Sequence, residues 1–368
     1  MAKFSPRIAI FLRDLAGGGA ERVILNLARG FIERDLRVDL VLARVKGAYL
    51  AQVPPEVRIV DLKTPFLPTS PFKLVRYLKQ EQPLALLSAL HYPCEISVLA
   101  KYISRMSIRV VVSEHINLSL EAAQRKETSV RLTPLAARLF YPWADGIVAV
   151  SHGVAKDLAR VTHLPIERIK VIYNPVILPE LLTRAKESVE HPWFKPGEPP
   201  VVLGVGRLET QKDFPSLIRA FAQVRQVQPA RLVILGIGPE QAHLDALVRE
   251  LGLEDDVAML GFMQNPYAYM AKAAVFVLSS VREGLPTVII EAMAVGTPVV
   301  STNCESGPAE ILADGKYGLL TPVGDTKAMA DGILSVLDGN GKRVDPSWLD
   351  QFTLKACTQQ YLNVLGIT

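Results

Sequence analysis

The chain has 368 residues and a net charge of +4, a length that suits two domains of about 150 to 200 residues with separate cores. Apolar residues make up 49% of it, yet no apolar run reaches the roughly 18 residues a membrane-spanning helix needs, and the run Ile8 to Leu12 is too short for a signal peptide. Three scattered cysteines, Cys94, Cys304 and Cys357, exclude a disulfide framework and lack metal-ligand spacing, so a reduced, cytoplasmic setting is expected.

In the first half, short β-branched runs alternate with helical patterns. Strands are expected at 8–12, 38–43, 57–60, 84–87, 110–113, 146–150 and 169–172. Between the first two, Val23, Ile24, Leu27, Ala28 and Phe31 fall at helical spacing. Strand, glycine-rich turn, helix and strand make a βαβ unit and so a parallel sheet. The turn is Gly17-Gly18-Gly19, whose exposed N–H groups and following helix dipole suit a phosphate or a sugar. A merely flexible turn is the alternative, because the spacing is not the dinucleotide fingerprint. His115 follows the strand 110–113 with Glu114 beside it; a structural role is the alternative for both. His152, after Ser151, reads as structural.

Residues 1–180 carry 25 Lys or Arg against 16 Asp or Glu, whereas the remainder carries 16 against 21. That asymmetry predicts an anionic partner for the first half, a membrane surface or an anionic substrate, with a solvated basic face as the alternative. Two groups interleave bases with apolar residues: Lys73, Arg76 and Lys79, then Arg125, Lys126, Arg131 and Arg138. Nucleic acid is not expected, since no aromatic-interleaved groove or reader motif is present.

The stretch His191 to Pro200 is rich in proline and reads as linker. A second alternation follows, with strands at 201–205, 232–235, 257–259, 274–278, 299–302 and 318–320, and helices at 214–224, 240–250, 286–294 and 326–338. Two doubly wound domains are expected, with the site at the carboxyl ends of their strands. Gly204 and Gly206 permit close backbone approach, and Arg207 and Lys212 bring positive charge to a strand end, a combination that suits a diphosphate. Further along, Glu283-Gly-Leu-Pro-Thr-Val-Ile-Ile-Glu291 brackets a helix start with two carboxylates. Pro286 suits a first helical position, and the helix mouth favours an anion.

With Ala292-Met-Ala-Val-Gly-Thr-Pro-Val-Val300 behind it, this E-x7-E segment resembles the retaining glycosyltransferases of family 4, which have GT-B architecture. The resemblance covers nearly the whole chain and is strongest over 201–324. It implies an α/β fold of two Rossmann-like domains facing across a cleft. The first spans 1–178 and is rejoined by a last helix at about 350–368; the linker is 179–200 and the nucleotide-sugar domain 201–349. By resemblance, Arg207 and Lys212 neutralise the donor diphosphate, and His115 reaches the donor sugar. Gly17, Gly18 and Gly19 approach the donor phosphate, Gly206 lies at the strand end, and Gly238 lies under the nucleotide. Phe262 stands near the base, where a uracil edge can be read. Glu283 binds sugar hydroxyls, Glu291 the ribose, and Gly284, Leu285, Pro286 and Thr287 form the anion-binding helix start.

No D-x-D sequence lies near a strand end, so neither a metal nor another cofactor is expected. The implied activity is retaining transfer of a hexose or N-acetylhexosamine from a UDP-sugar to a lipid-linked glycan, such as one on polyprenyl diphosphate, or to another cell-surface polysaccharide precursor. The setting would be cytoplasmic, peripheral on the inner membrane face. A non-catalytic scaffold of the same fold is an alternative, disfavoured because the basic pair and both glutamates are present. A nucleotide-sugar epimerase or a phosphorylase is another; the first lacks additional acid/base groups and the second a pyridoxal-binding lysine context.

Overall fold

The computed structural model describes residues 6–64, 69–124 and 127–367. It forms two compact units, Met1–Val176 with Gln351–Thr368, and Ile177–Asp350.

The first unit holds β1 (Arg7–Leu12), β2 (Arg37–Leu42), β3 (Arg58–Asp61), β4 (Ala85–Ala89), β5 (Arg109–Glu114), β6 (Gly146–Ala149) and β7 (Ile169–Val171). All pair in parallel, in the order β3-β2-β1-β4-β5-β6-β7. Ile8, Ala9, Ile10 and Phe11 are fully buried, as expected where helices cover both faces of a parallel sheet. The Gly19–Ile32 helix turns Val23, Ile24, Leu27 and Phe31 into this core, so the helical spacing read from the sequence is its buried face. Tyr361 and Leu365 of the last helix, Leu354–Leu365, join the same core. That helix crosses the first one closely: a Cβ on Gly30 would collide with Thr358 Oγ1 and press on Leu354.

The second unit holds β8 (Val201–Val205), β9 (Arg231–Leu235), β10 (Val257–Gly261), β11 (Val275–Leu278), β12 (Val299–Thr302) and β13 (Leu319–Thr321). These too are parallel, in the order β10-β9-β8-β11-β12-β13. Segment 179–200, expected as linker, is partly regular and belongs to this unit. Its Leu181–Ala185 helix buries Leu181 and Ala185. Arg184 donates to the Gln264 carbonyl at 2.6 Å and lies over the Tyr267 ring. Proline-rich flanks hid this anchor, because the burial depends on a distant helix.

In each sheet the chain reverses its direction of growth once, between β1 and β4 and between β8 and β11. Loops leaving those neighbouring strands diverge to opposite faces, and such reversal points are where open α/β sheets hold ligands. No helix among the described residues is long and apolar enough to cross a membrane.

The helix crossing at Gly30 gives a stability prediction. Gly30→Ala should destabilise the protein by about 1–3 kcal/mol through overpacking. Adding Thr358→Ala should recover most of that loss in urea unfolding; equal losses in the single and double variants would place the strain elsewhere.

Candidate active site

At the β8–β11 reversal, two loops are joined by side chains and backbone together. The loop after β8 ends in a short 3-10 turn, Thr210–Lys212, and the loop after β11 runs from Ser279 to Pro286. Ser279 Oγ donates to the Lys212 carbonyl at 2.7 Å. The Val281 N–H donates to the Gln211 carbonyl at 2.9 Å, and Gln211 Nε2 to the Arg282 carbonyl at 3.0 Å. At the centre, Lys212 Nζ lies 2.6 Å from Glu283 Oε1, and Ser280 Oγ donates to the same oxygen at 2.7 Å. The Glu283 side chain is only 8% exposed, so an opposite charge and a hydroxyl offset the cost of burying its carboxylate. Thr302 Oγ1 of β12 fixes the Ser280 carbonyl at 2.6 Å.

Two glycine positions shape this end of the sheet. Gly236, with φ +151°, lies so close to the Gly206 carbonyl that a Cβ would collide with it. Gly238 packs in the same way on Leu208, which exchanges backbone bonds with Ile237 and Glu240 at 3.0 Å. The side chain of Lys212 lies over Gly206. The helix expected from Pro286 begins one residue later, as Thr287–Ala294, with Pro286 at its N-cap. Gly307, with φ +103°, packs against Gly284, Leu285 and Pro286 and holds this entrance. Glu291 is buried inside the helix.

Lys212, Glu283, Gly206 and residues 284–287 therefore meet at one place, with Glu291 one helical turn beyond. Arg207 is on the same loop, but its side chain is 67% exposed and its guanidinium pairs with Glu209. Phe262, after β10, is exposed. Ser280 and Gln211 escaped the sequence reading, since nothing local marks a loop serine or glutamine as the partner of a strand-end pair. Cys304, behind the pair, has its thiol pushed up to about 12 by burial and by the Glu283 charge.

In the first unit, Gly18 caps the Gly19–Ile32 helix without a side chain. Gly17 has φ +116°, and the Glu21 carboxylate occupies the space a Cβ on Gly18 would need. His115 follows β5 and is buried. Its Nε2 lies 3.2 Å from Ser113 Oγ, which shares a 2.9 Å bond with Tyr361 Oη. Burial lowers the imidazole to about 4, so it is neutral near pH 7 and its Nδ1 has no protein partner. Glu114 is fully buried and structural in character: Tyr141 Oη donates to it at 2.9 Å and the His115 N–H at 3.0 Å. Burial raises its carboxyl to about 8. Ser151 caps the His152–Thr162 helix, accepting from the Val154 N–H at 3.1 Å.

Known proteins match this chain along both units. The model for Glycosyltransferase Family 4 matches residues 17–178, and that for Glycosyl transferases group 1 matches residues 186–347. An N-acetylgalactosamine-N,N'-diacetylbacillosaminyl-diphospho-undecaprenol 4-alpha-N-acetylgalactosaminyltransferase of Campylobacter jejuni is 32% identical over 348 residues, 92% of each chain. The lipopolysaccharide core biosynthesis glycosyltransferase LpsE of Rhizobium meliloti is 33% identical, over 64% of this chain and 68% of its own. Among solved structures, Anabaena HepE in complex with UDP and glucose superposes with a TM-score of 0.77 at 22% identity, covering 98% of this chain and 99% of that one.

The buried Glu114 carboxyl links stability to pH. Its folded value lies above the ordinary 4.5, so its contribution is fully present below about pH 4.5 and is lost as pH rises through about 8. Replacing it with Gln should therefore gain stability relative to wild type as pH is raised. Urea midpoints of the two proteins at about pH 5 and about pH 9 check this; a difference that stays constant with pH would refute it.

Proposed function

The chain belongs to the family 4 glycosyltransferases of GT-B architecture, and from that membership we propose that it moves a sugar from a UDP-linked donor to a lipid-linked glycan with retention of configuration. The observation that carries the reading is the partly buried Lys212–Glu283 pair beside the Thr287–Ala294 helix start. In the free enzyme the lysine neutralises the glutamate; with donor bound it would turn to the diphosphate, helped by Arg207 once released from Glu209. Glu283 would then accept hydrogen bonds from sugar hydroxyls, and its charge would favour the positive charge developing at the anomeric carbon.

The helix N-terminus and residues 284–287 would hold the phosphates, as unpaired N–H groups and the dipole allow. Glu291 would hold the ribose, with Gly206, Gly238 and Phe262 around the nucleoside. In the first unit, the neutral His115 would contact the donor sugar, and Gly17, Gly18 and Gly19 would approach its phosphate. The bond from the anomeric carbon to the diphosphate breaks while the acceptor oxygen bonds on the same face. The acceptor proton passes to the departing phosphate oxygen, so no enzyme nucleophile is used and no metal is required. The Campylobacter relative acts on a diphospho-undecaprenol glycan by its name, and HepE was solved with UDP; both support the substrate classes chosen here.

A lipid-linked acceptor also calls for a membrane-facing surface, and the two basic groups differ in this respect. The Ser70–Glu81 helix turns Leu74 and Leu78 inward, leaves Lys73, Arg76 and Lys79 in solvent and exposes one large apolar side chain, Phe72. In the second group, Arg125 and Lys126 lie outside the described residues. There, Leu132, Leu135 and Leu139 are each more than half exposed, on and beside the Thr133–Phe140 helix. Trp143, equally exposed, stacks edge-on against Tyr102 at 5.0 Å. Exposed Arg131 and Arg138 flank them. Apolar and aromatic side chains ringed by bases suit an anionic bilayer surface at the cytoplasmic face.

UDP should raise the apparent melting temperature. Glu291→Gln should weaken UDP binding about tenfold, whereas Glu283→Gln should lower kcat about 100-fold with UDP binding little changed. Activity should persist in EDTA, and NMR of the product should show the donor's α-configuration; a β-linked product would sink the retaining mechanism.

For the membrane face, wild-type protein should sediment with anionic vesicles at low salt and release at high salt. Leu135→Ser combined with Leu139→Ser should abolish sedimentation. Wild-type protein that stays in the supernatant would leave a water-soluble acceptor as the better assignment.

A further inference from the structure

Behind His115 stands a chain of buried hydroxyls that the roles above do not use. Ser113 lies two residues before it, so both side chains leave the same face of the extended chain. Glu114 between them bonds Tyr141 instead. Ser113 Oγ is 3.2 Å from His115 Nε2. It is also 2.9 Å from the Oη of Tyr361, 248 positions away on the Leu354–Leu365 helix. The serine's carbonyl accepts the Leu90 N–H at 3.2 Å, which fixes its backbone from the loop after β4.

Packing alone does not call for the Tyr361 hydroxyl. Tyr361 and Ser113 are both fully buried, and a phenylalanine would fill the same space in the core. Burying a hydroxyl costs stability unless it is bonded. Among the described residues, the one hydrogen bond Tyr361 Oη makes is to Ser113.

The supply of hydrogens decides how this chain is ordered. Burial keeps the imidazole neutral near pH 7, so one ring nitrogen carries a hydrogen and the other a lone pair. With the hydrogen on Nδ1, the Tyr361 O–H donates to Ser113 Oγ and the Ser113 O–H donates to Nε2. Both hydroxyl hydrogens and the Nε2 lone pair are then used, and only Nδ1–H lacks a protein partner. With the hydrogen on Nε2, that N–H must donate to Ser113 Oγ. Either Tyr361 or Ser113 is then left with a buried O–H that has no acceptor, and Nδ1 with an unused lone pair. One unmet buried group costs less than two.

We infer that Ser113 is a positioning residue that fixes His115 as the Nδ1–H tautomer, with Tyr361 of the last helix holding the serine hydroxyl toward Nε2. The functional half of the inference rests on the proposed contact of His115 with the donor sugar. The ring nitrogen that the protein leaves unused is then a hydrogen-bond donor, suited to a sugar oxygen.

Nitrogen-15 spectra of the ligand-free protein near neutral pH test the tautomer, with the His115 signals assigned by their loss in His115→Gln. The wild type should show a pyrrole-like Nδ1 and a pyridine-like Nε2. Ser113→Ala should move the ring toward the Nε2–H form that free imidazole side chains prefer. It also strands the Tyr361 hydroxyl, so it should lower the melting temperature; adding Tyr361→Phe should recover that loss and leave the tautomer shifted. Calorimetry with UDP-glucose, UDP-galactose, UDP-N-acetylglucosamine and UDP-N-acetylgalactosamine identifies the sugar nucleotide that binds most tightly. Ser113→Ala, alone and with Tyr361→Phe, should weaken that ligand about tenfold, the loss expected for one hydrogen bond, and leave UDP itself unchanged. A merely structural serine would not separate the two ligands. A pyridine-like Nδ1 in the wild type, or ring signals that Ser113→Ala does not move, would overturn the inference. So would unaltered sugar-nucleotide affinity in the double variant where His115→Gln weakens it. If His115→Gln has no effect on that affinity while the ring signals shift as expected, the donor role of His115 fails and the tautomer assignment stands.

Discussion

The organisation of each unit depends on one topological constraint: a sheet whose strands all run the same way must reverse its direction of growth to have helices on both faces. At that reversal two neighbouring strands send their loops apart, and the space between is open to a ligand. In the second unit the loops after β8 and β11 are not left apart. Gln211, Ser279 and Val281 stitch them together, and Lys212 and Glu283 meet across the joint. A charged pair held by packed loops is already ordered before any donor arrives, which lowers the cost of ordering on binding.

The two units handle charge differently. In the second, a buried carboxylate is matched by an ammonium and a hydroxyl, and a helix N-terminus adds positive potential. Such a place suits an anion that can take over the lysine. In the first, the buried groups at the strand ends are made neutral by desolvation: His115 is held deprotonated, and the Glu95 and Glu114 carboxyls are pushed up toward and beyond neutrality. Its excess positive charge stays on the exterior, at side chains such as Arg131 and Arg138. The same chain thus presents a charged site, a polar but nearly neutral one, and a basic apolar face.

Local pattern made much of this legible. Buried strands are short apolar runs and helices have a periodic face, so most elements lie within one or two residues of their expected bounds. The Glu283–Glu291 segment and the Gly-Arg-Leu…Lys segment likewise declare a helix mouth and a basic strand end within a dozen residues. What the sequence by itself determined, then, is the two-fold alternation, the candidate charged residues and the family they resemble, because each is written in near neighbours along the chain. The tertiary structure alone decided that Lys212 is matched to Glu283, 71 positions away, with Ser280 completing the pair. It also decided that segment 179–200 is anchored, that the second apolar-basic stretch exposes its leucines while the first buries its own, and that the loop after β4 is tied through Leu90 to the Ser113 carbonyl at the end of β5. Those facts depend on which strand ends adjoin and which helix face a sheet covers, and strand order is fixed by packing between residues far apart in sequence.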